Sequence, residues 1–114
     1  MPKDNALSPL TEKSIELIAA RFHALGDGSR LKLIAAAKNC EKNVSQLVDA
    51  TGLTQANVSK HLKILTDAGF LVRRREGIQV FYTVADATVF QLCKLVSVNL
   101  KKQFALQAKS FGQV

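Results

Sequence analysis

The feature that most constrains the fold is a pair of helix-like segments in residues 45–69, separated only by Gly52-Leu53-Thr54. Gly52 is suited to end the first segment, and the hydroxyl of Thr54 is suited to cap the second. The apolar positions of the second segment recur at helical spacing: Val58, Leu62 and Leu65. Two helices joined by so short a turn predict a helix-turn-helix.

Two further helices are predicted before this pair. The first should begin at Ser8-Pro9, a capping hydroxyl followed by a proline suited to the first helical position. Gly26-Asp27-Gly28 should end it, and Ser29 should cap the second helix. The third helix, which is the first of the pair, is expected to be capped by Ser45 and to end at Thr51.

Two strand-like runs, FLVRRR and QVFYTV, follow the pair and are joined by a turn at Glu76-Gly77. Asp86 is suited to cap a final long helix. The chain is therefore predicted to be mainly α-helical with a small β-hairpin, in the order α-α-α-α-β-β-α. A hairpin directly behind a helix-turn-helix would form a wing, which predicts a winged helix-turn-helix. We expect a flexible arm over residues 1–9, one domain over 10–106 and a tail over 107–114.

Length and composition fit a single globular domain. The chain has 114 residues, of which 47% are hydrophobic, so it can bury one core and is not expected to be disordered. No apolar run approaches the ~18 residues of a membrane span. The N-terminus lacks the apolar stretch of a secretory signal, and Cys40 and Cys93 are too few for a disulfide framework. A reducing, cytoplasmic location is expected.

The charge balance favours an anionic partner. The formal net charge is +7, and the excess lies outside residues 1–29, which are slightly acidic. Residues 93–114 are basic and contain no acidic side chain. Nucleic acid is the leading partner for a chain of this charge.

The fourth helix carries side chains that suit duplex DNA. A recognition helix presents its N-terminal polar residues to base edges in the major groove. Glutamine and asparagine can each make two hydrogen bonds to adenine, and lysines further along can reach phosphates. The residues expected to contact DNA from this helix are Thr54, Gln55, Asn57, Ser59, Lys60 and Lys63. A merely solvated helix face is the alternative, but such faces usually carry more acid than the single Asp67 found here.

Three consecutive arginines occupy the strand that enters the wing. Alternation along a strand places Arg73 and Arg75 on one face and Arg74 on the other. Such charges beside a turn suit phosphate or minor-groove contacts. They also protect an edge strand from aggregation, and the two uses can coexist.

Other functions find less support in the sequence. His23 and His61 lie among helical apolar residues and are expected to pack or cap locally. A thiol enzyme would need an orienting group and a pocket that nothing in the sequence indicates. A protein-binding adaptor would be expected to have lost the polar and basic residues of the fourth helix, which this chain retains.

Three segments, FHALGDGSRLKLI, VSQLVDATGLTQANVSKHLKILTDAGFLVRRREGIQVFY and the helix that follows, resemble the ArsR/SmtB family of bacterial transcriptional repressors. The resemblance covers about residues 15–105 and includes the second helix, the recognition helix and the wing in order. One departure is Gly28-Ser29, where the family often has Pro-Thr. The resemblance implies DNA binding by Ser45 and Gln46 of the third helix, by the fourth-helix residues above, and by Arg73, Arg74, Arg75 and Gln79 of the wing.

The resemblance also implies a homodimer on a palindromic operator, in which the first and last helices pair across the two-fold axis. The last helix supports this independently, because its apolar stripe is too long for a small domain to use up. The expected interface residues are Ile15, Ile18, Phe22, Val89, Leu92, Val96, Leu100 and Phe104.

The effector is left open by the sequence. Family members release DNA on binding a metal or a reactive sulfur species, but the stretch where the arsenic type has cysteines reads Asn43-Val44-Ser45. Of the zinc-type ligands only Asp86 remains, since the other positions hold Thr88, Asn99 and Lys102. No metal cofactor is therefore expected.

The two cysteines leave a thiol switch as a hypothesis. Cys40 should be exposed among cations, whereas Cys93 should be a buried packing thiol. The persulfide-sensing branch has its cysteines at positions that correspond to Ala35 and Lys101 here, so the match is to the helices and not to the residues.

Overall fold

The computed structural model describes residues 10–111, with side chains described as far as residue 108. Within these residues the chain is mostly helical, with a small antiparallel sheet. The elements in chain order are α1 (Glu12–Leu25), α2 (Gly28–Ala36), β1 (Lys42–Asn43), α3 (Val44–Thr51), α4 (Gln55–Asp67), β2 (Leu71–Glu76), β3 (Gln79–Val84) and α5 (Thr88–Phe111). The predicted winged helix-turn-helix is confirmed, with one strand more than expected.

The first two helices begin at different caps from those predicted. The Oγ1 of Thr11 accepts the backbone N–H of Ser14 at 3.0 Å, so α1 begins at Glu12. The predicted start at Ser8-Pro9 lies outside the described residues. Asp27 caps α2, because its Oδ1 accepts the N–H groups of both Ser29 at 2.8 Å and Arg30 at 3.2 Å. The prediction that Ser29 caps this helix was wrong, since the carboxylate two residues earlier reaches both free donors.

The start of α3 also differs from the prediction. Asn43 and Gln46 form a capping box, in which each side chain accepts the other residue's backbone N–H at 2.8 Å. Ser45 was therefore the wrong cap, and it lies inside the first turn. The strand β1 was missed altogether; its two residues pair with β3, Lys42 opposite Tyr82 and Asn43 opposite Phe81. A two-residue strand is too short to show the alternation by which strands are recognised.

The remaining helix and turn signals are confirmed. The Oγ1 of Thr54 accepts the N–H of Asn57 at 3.2 Å and caps α4. Gly52 ends α3 with φ of 74°, and Gly77 turns the hairpin with φ of 62°, both in the left-handed region that favours glycine. The carboxylate of Asp86 accepts the N–H of Thr88 at 2.9 Å where α5 begins.

The core lies between α2, α3, α4 and the start of β2. The buried apolar side chains are Ala24, Leu33, Ile34, Ala37, Leu47, Val58, Leu62, Leu65, Phe70, Leu71 and Val89. Since α4 contributes its whole inner stripe to this core, its orientation is fixed by burial of apolar surface.

In contrast, α1 and α5 leave much of their apolar surface uncovered. Phe22 is 59% exposed, Val96 58% and Phe104 61%. The radius of gyration is 17.8 Å, against about 13 Å for a compact domain of this size. Among residues 10–111, no helix is long and apolar enough to cross a membrane. The single chain therefore has an open apolar face on these two helices.

Two predictions for α5 are corrected by its path. Val89 is only 2% exposed and belongs to the core, so it is not part of the surface stripe where it was placed. Cys93 is exposed in the chain, contrary to the expected packing thiol, because α5 leaves the core within its first turns. The helix extends to Phe111, beyond residue 106, and the arm over residues 1–9 lies outside the described residues. The domain limits stay a prediction.

Candidate nucleic-acid interface

The outer face of α4 presents an uninterrupted polar surface. Gln55, Asn57, Ser59 and Lys60 are all exposed, and within the described chain none of their side-chain polar atoms has a hydrogen-bond partner. On the inner face of the same helix, Val58 is fully buried. The helix is therefore held from behind, and its outward donors and acceptors are left for another molecule.

Two other residues predicted from α4 also make contacts within the chain. Thr54 is exposed, but its hydroxyl is used as the helix cap. The Nζ of Lys63 lies 3.1 Å from the carboxylate of Asp67, one helical turn away, and both side chains are mostly exposed. Exposed pairs of this kind contribute about 0.3–0.5 kcal/mol, so Lys63 can exchange this partner for a phosphate at little cost.

The recognition helix is tied to its neighbours by Arg30, which the sequence analysis did not single out. Arg30 is buried in α2 and donates from Nε to the carbonyl of Ala24 at 2.6 Å and from Nη2 to that of His23 at 3.2 Å. Its Nη1 lies 3.2 Å from the Nδ1 of His61 on α4. A guanidinium can only donate, so Nδ1 of His61 accepts and is unprotonated. The local packing predicted for His61 is confirmed; His23 is exposed.

Asp27, which caps α2, also interacts with Arg30. Hydrogen bonds from the backbone N–H groups of Arg30 and Ser29 and the positive charge of the Arg30 guanidinium hold the pKa of Asp27 below its usual value. The carboxylate is therefore ionised at neutral pH beside the C-terminal end of α1. Asp27 and Arg30 together fix the junction between α1, α2 and α4.

The three wing arginines differ in what they contact. Arg73 and Arg75 are exposed and make no ion pair within the described residues. Arg74 is bound on two sides, by Glu41 through Nε at 3.0 Å and Nη2 at 2.5 Å, and by Glu76 through Nη1 at 3.1 Å. Its guanidinium also lies 4.9 Å from the centre of the Phe81 ring. Among the described residues, Arg74 is therefore the one of the three whose guanidinium already has ion-pair partners.

Two more of the predicted residues contact Asn43. The Oε1 of Gln79 accepts from Nδ2 of Asn43 at 2.9 Å, and Gln46 forms the capping box with the same asparagine. Both side chains are exposed, but they already have polar partners. Ser45, in the first turn of α3, is exposed and has no side-chain hydrogen bond among the described residues.

A polar cleft of about 440 Å³ lies between the recognition helix and the wing. Its lining residues are Ser59, Lys63, Thr66, Asp67, Arg73 and Tyr82. Lys63 and Arg73 thus bring positive charge from α4 and β2 to one cleft. Such a cleft suits an anionic strand, since phosphate oxygens can accept from both elements.

The cysteines lie apart from this surface. Both are exposed, and the Nζ of Lys42 lies 3.4 Å from the Sγ of Cys40. Cys93 lines an apolar groove between α1, α2 and α5 that also includes Phe22 and Phe104. Within residues 10–108, no three His, Cys, Asp or Glu side chains lie close enough together to hold a metal ion.

Comparison with known proteins identifies the family. A family model described as "Bacterial regulatory protein, arsR family" matches residues 27–72. The uncharacterized HTH-type transcriptional regulator MJ1325 of Methanocaldococcus jannaschii is 36% identical over 86 residues, which cover 75% of this chain and 92% of that protein. The chain belongs to the arsR family. This family consists of transcriptional regulators and not of enzymes, and the resemblance seen in the sequence is confirmed.

Other arsR-family similarities extend the match. The probable mercury resistance operon repressor of Streptomyces lividans is 38% identical over 74 residues, or 65% of this chain, which spans only 59% of that relative. The solution structure of the homodimeric winged helix-turn-helix DNA-binding domain of Mb0332 from Mycobacterium bovis aligns with a TM-score of 0.70 at 26% identity, covering 90% of this chain and 92% of that one. This arsR-family chain is a DNA-binding transcriptional regulator with the winged helix-turn-helix fold.

Proposed function

We propose that this protein is a homodimeric repressor that binds a palindromic duplex operator and leaves it when an inducer binds. The observation that carries the proposal is the outer face of α4, whose polar side chains have no partner within the described chain while its inner face is buried. Such a helix is held in a fixed orientation and retains its hydrogen-bonding capacity for base edges. A regulator of this kind acts in the cytoplasm, where bacterial DNA lies.

The proposed dimer joins α1 and α5 of the two chains. Its support is the apolar surface that both helices leave open in one chain, at Ile15, Ile18, Phe22, Leu92, Val96, Leu100 and Phe104. An open apolar face of this extent marks an association surface. The similar Mb0332 domain is described as homodimeric. A two-fold axis would place two copies of α4 about 34–36 Å apart, one turn of duplex.

Within each half-site we assign two kinds of contact. Gln55 and Asn57 read base edges in the major groove, because their amide groups can donate and accept at adenine. Lys60, Lys63, Arg73 and Arg75 bind phosphates from the two sides of the cleft. Ser45, Gln46, Thr54, Ser59 and Gln79 complete the surface as neutral contacts.

No contact within the described residues identifies the inducer. The Streptomyces lividans relative is called a mercury resistance repressor, whereas this chain has only two cysteines, Cys40 in the loop after α2 and Cys93 on α5. The absence of a resident metal cofactor and the thiol switch at Cys40 and Cys93 both stay predictions. The domain limits at residues 10–106, with a flexible arm before and a tail after, stay part of the proposal.

DNA binding by two single variants tests the function. Gln55→Ala should lower the preference for the operator over unrelated duplex by about fivefold or more, since a lost two-bond contact to a base costs about 1–3 kcal/mol. Lys60→Ala should weaken binding to all duplexes alike and reduce the slope of log affinity against log salt by about 1. Fluorescence anisotropy in a salt series measures both. Equal affinity for unrelated duplexes, or a flat salt response, would contradict the proposal.

A further inference from the structure

Resting on the proposed DNA binding, we infer that Arg74 does not contact DNA but positions the wing, by clamping it through Glu41 to the segment that leads into α3. Three residues make this clamp: Glu41 just before β1, Arg74 on β2 and Phe81 on β3. The family resemblance placed Arg74 among the DNA contacts, and its surroundings assign it a different task.

The geometry of the clamp leaves Arg74 little freedom. Two of its nitrogens bond the two carboxylate oxygens of Glu41, at 3.0 and 2.5 Å, so the pair is bidentate. The third bonds Glu76 at 3.1 Å, and the guanidinium lies over the Phe81 ring. Bidentate pairing and stacking both use the planar shape of the guanidinium and fix its orientation. The same bonds lower the pKa of Glu41 and raise that of Arg74, so both stay charged.

Through Glu41, the clamp connects the wing to α3. The two residues after Glu41 form β1, and Asn43 in that strand caps α3 and donates to Gln79 of β3. The hairpin is thus connected to the first helix of the helix-turn-helix by the short pairing of β1 with β3 and by two side-chain links, Arg74–Glu41 and Gln79–Asn43. Both links join residues more than 30 positions apart in the chain.

The wing needs such a clamp because its outer strand β2 is held by little apolar burial, whereas β3 is half-buried. On β2 only Leu71 is buried, and every residue from Val72 to Glu76 is exposed. Ile78 at the turn is 99% exposed. Without the side-chain links, the two-residue pairing with β1 is the attachment left at the middle of the hairpin in the described chain, and the outer strand with Arg73 and Arg75 would move more freely.

The charge balance around Arg74 points the same way. Glu41 and Glu76 carry two negative charges against the single positive charge of Arg74. These three side chains together therefore offer no net attraction to a phosphate. Arg73, by contrast, lines the cleft beside α4 and has no such partner in the described part of the chain. The phosphate contacts of the wing therefore belong to Arg73 and Arg75, and Arg74 fixes where they lie.

Glu41→Gln tests this assignment by the sign of its effect. If Arg74 bound phosphate, removing a competing carboxylate would free it and tighten DNA binding. As a positioning pair, Glu41 and Arg74 predict the opposite, a loss of operator affinity of about two- to fivefold, a size consistent with removal of an exposed ion pair. Affinity for unrelated duplex should not fall. Asp49→Asn on α3 is the matched control, because it removes one exposed acid away from the clamp and should not weaken operator binding.

The variant Arg74→Lys is a second, independent test of the clamp. It keeps the charge and loses the bidentate, stacked geometry, so it should weaken operator binding about as much as Glu41→Gln while leaving the salt slope unchanged. Loss of a phosphate contact in Arg74→Gln would instead lower that slope by about 0.9. In both clamp variants the amide order parameters at Gly77–Gln79, measured by NMR relaxation on the free protein, should fall, while the unfolding midpoint stays close to that of the unaltered chain.

The outcomes separate the two proposals. Each of three results would overturn the clamp. The first is operator binding that is unchanged or tighter in Glu41→Gln, and the second is full operator binding by Arg74→Lys. The third is unaltered amide order parameters at the wing tip, Gly77–Gln79, in both variants. If the unaltered protein does not distinguish any operator from unrelated duplex, the proposed function fails instead. The NMR arm still decides the clamp in that case, because it needs no DNA.

Discussion

The recognition helix and the wing present similar polar groups but are held by different forces. Helix α4 is anchored by apolar burial, with Val58 and Leu65 at 0% exposure, and by the buried contact between His61 and Arg30. The wing is half-buried on β3 and relies for the rest on the short pairing with β1 and on polar links at the surface, where the Arg74 and Glu41 side chains remain 47% and 38% exposed. One element is fixed by the core, the other by side chains that water and ions can reach.

This difference indicates which part of the surface is positioned more firmly. The base reading proposed for Gln55 and Asn57 would tolerate little displacement, and α4, which carries both residues, is built into the core. Phosphate contacts act over longer distances and accept small shifts, and the element that carries Arg73 and Arg75 has the weaker attachment. Weakening each attachment in turn should therefore give effects of different size and kind.

The largest effect should come from the core attachment of α4. Leu62→Ala removes a side chain that is 1% exposed and should lower the free energy of unfolding by about 2–5 kcal/mol. Urea denaturation followed by circular dichroism measures this. Ser59→Ala, on the outer face of the same helix, should change it by less than about 0.5 kcal/mol. Similar losses from both variants would show that α4 is not held by its inner face.

A smaller effect should come from the polar anchor of the same helix. His61→Leu leaves a buried donor of Arg30 without its acceptor, which should cost about 1–3 kcal/mol. His61→Asn places an amide oxygen near the position of Nδ1 and should recover part of that loss. The comparison is again made by urea denaturation. If the asparagine variant is no more stable than the leucine variant, the hydrogen bond to Arg30 does not anchor α4.

The smallest effect should be a pH response confined to the wing. The hydrogen bonds from Arg74 hold the pKa of Glu41 below its usual 4.5, so the pair is fully formed above that pH. Its contribution should be lost as the pH falls through the lowered pKa of Glu41, when the carboxylate becomes protonated. An NMR titration should then show the amides of the wing tip shifting at acidic pH. In Glu41→Gln this component of the shift should be absent, and its persistence would assign it to another group.

Much of this architecture could be predicted from the sequence because the signals are local. Thr54, the stripe beginning at Val58 and the glycine at position 52 all act within a few residues, and they predicted α4 correctly. The strand β1 was missed because two residues are too few to show the alternation of a strand. The caps at Asp27 and Asn43 were each missed in favour of a nearby serine, because several capping side chains stand close together in the sequence.

The exposure of the candidate site residues could be predicted from the sequence, but the bonds among them could not, and their contacts with DNA stay a prediction. The exposed residues of α4 and the exposed Arg73 and Arg75 agree with the predicted surface. The pairs Arg30–His61 and Arg74–Glu41 could not be found, because their members are 31 and 33 positions apart and neither pair follows from local spacing. Cys93 was misjudged for a related reason: a helical stripe shows which residues share a face, but not how far the helix stays on the core.

The open apolar face of α1 and α5 has a consequence for how such a regulator would respond to its own abundance. If the species that binds the operator contains two chains, its concentration rises with the square of the chain concentration while single chains predominate, by mass action. While the operator is far from saturated, halving synthesis would then cut its occupancy by more than half. The apolar surface on these two helices would thus set a threshold of expression below which the regulated genes escape control.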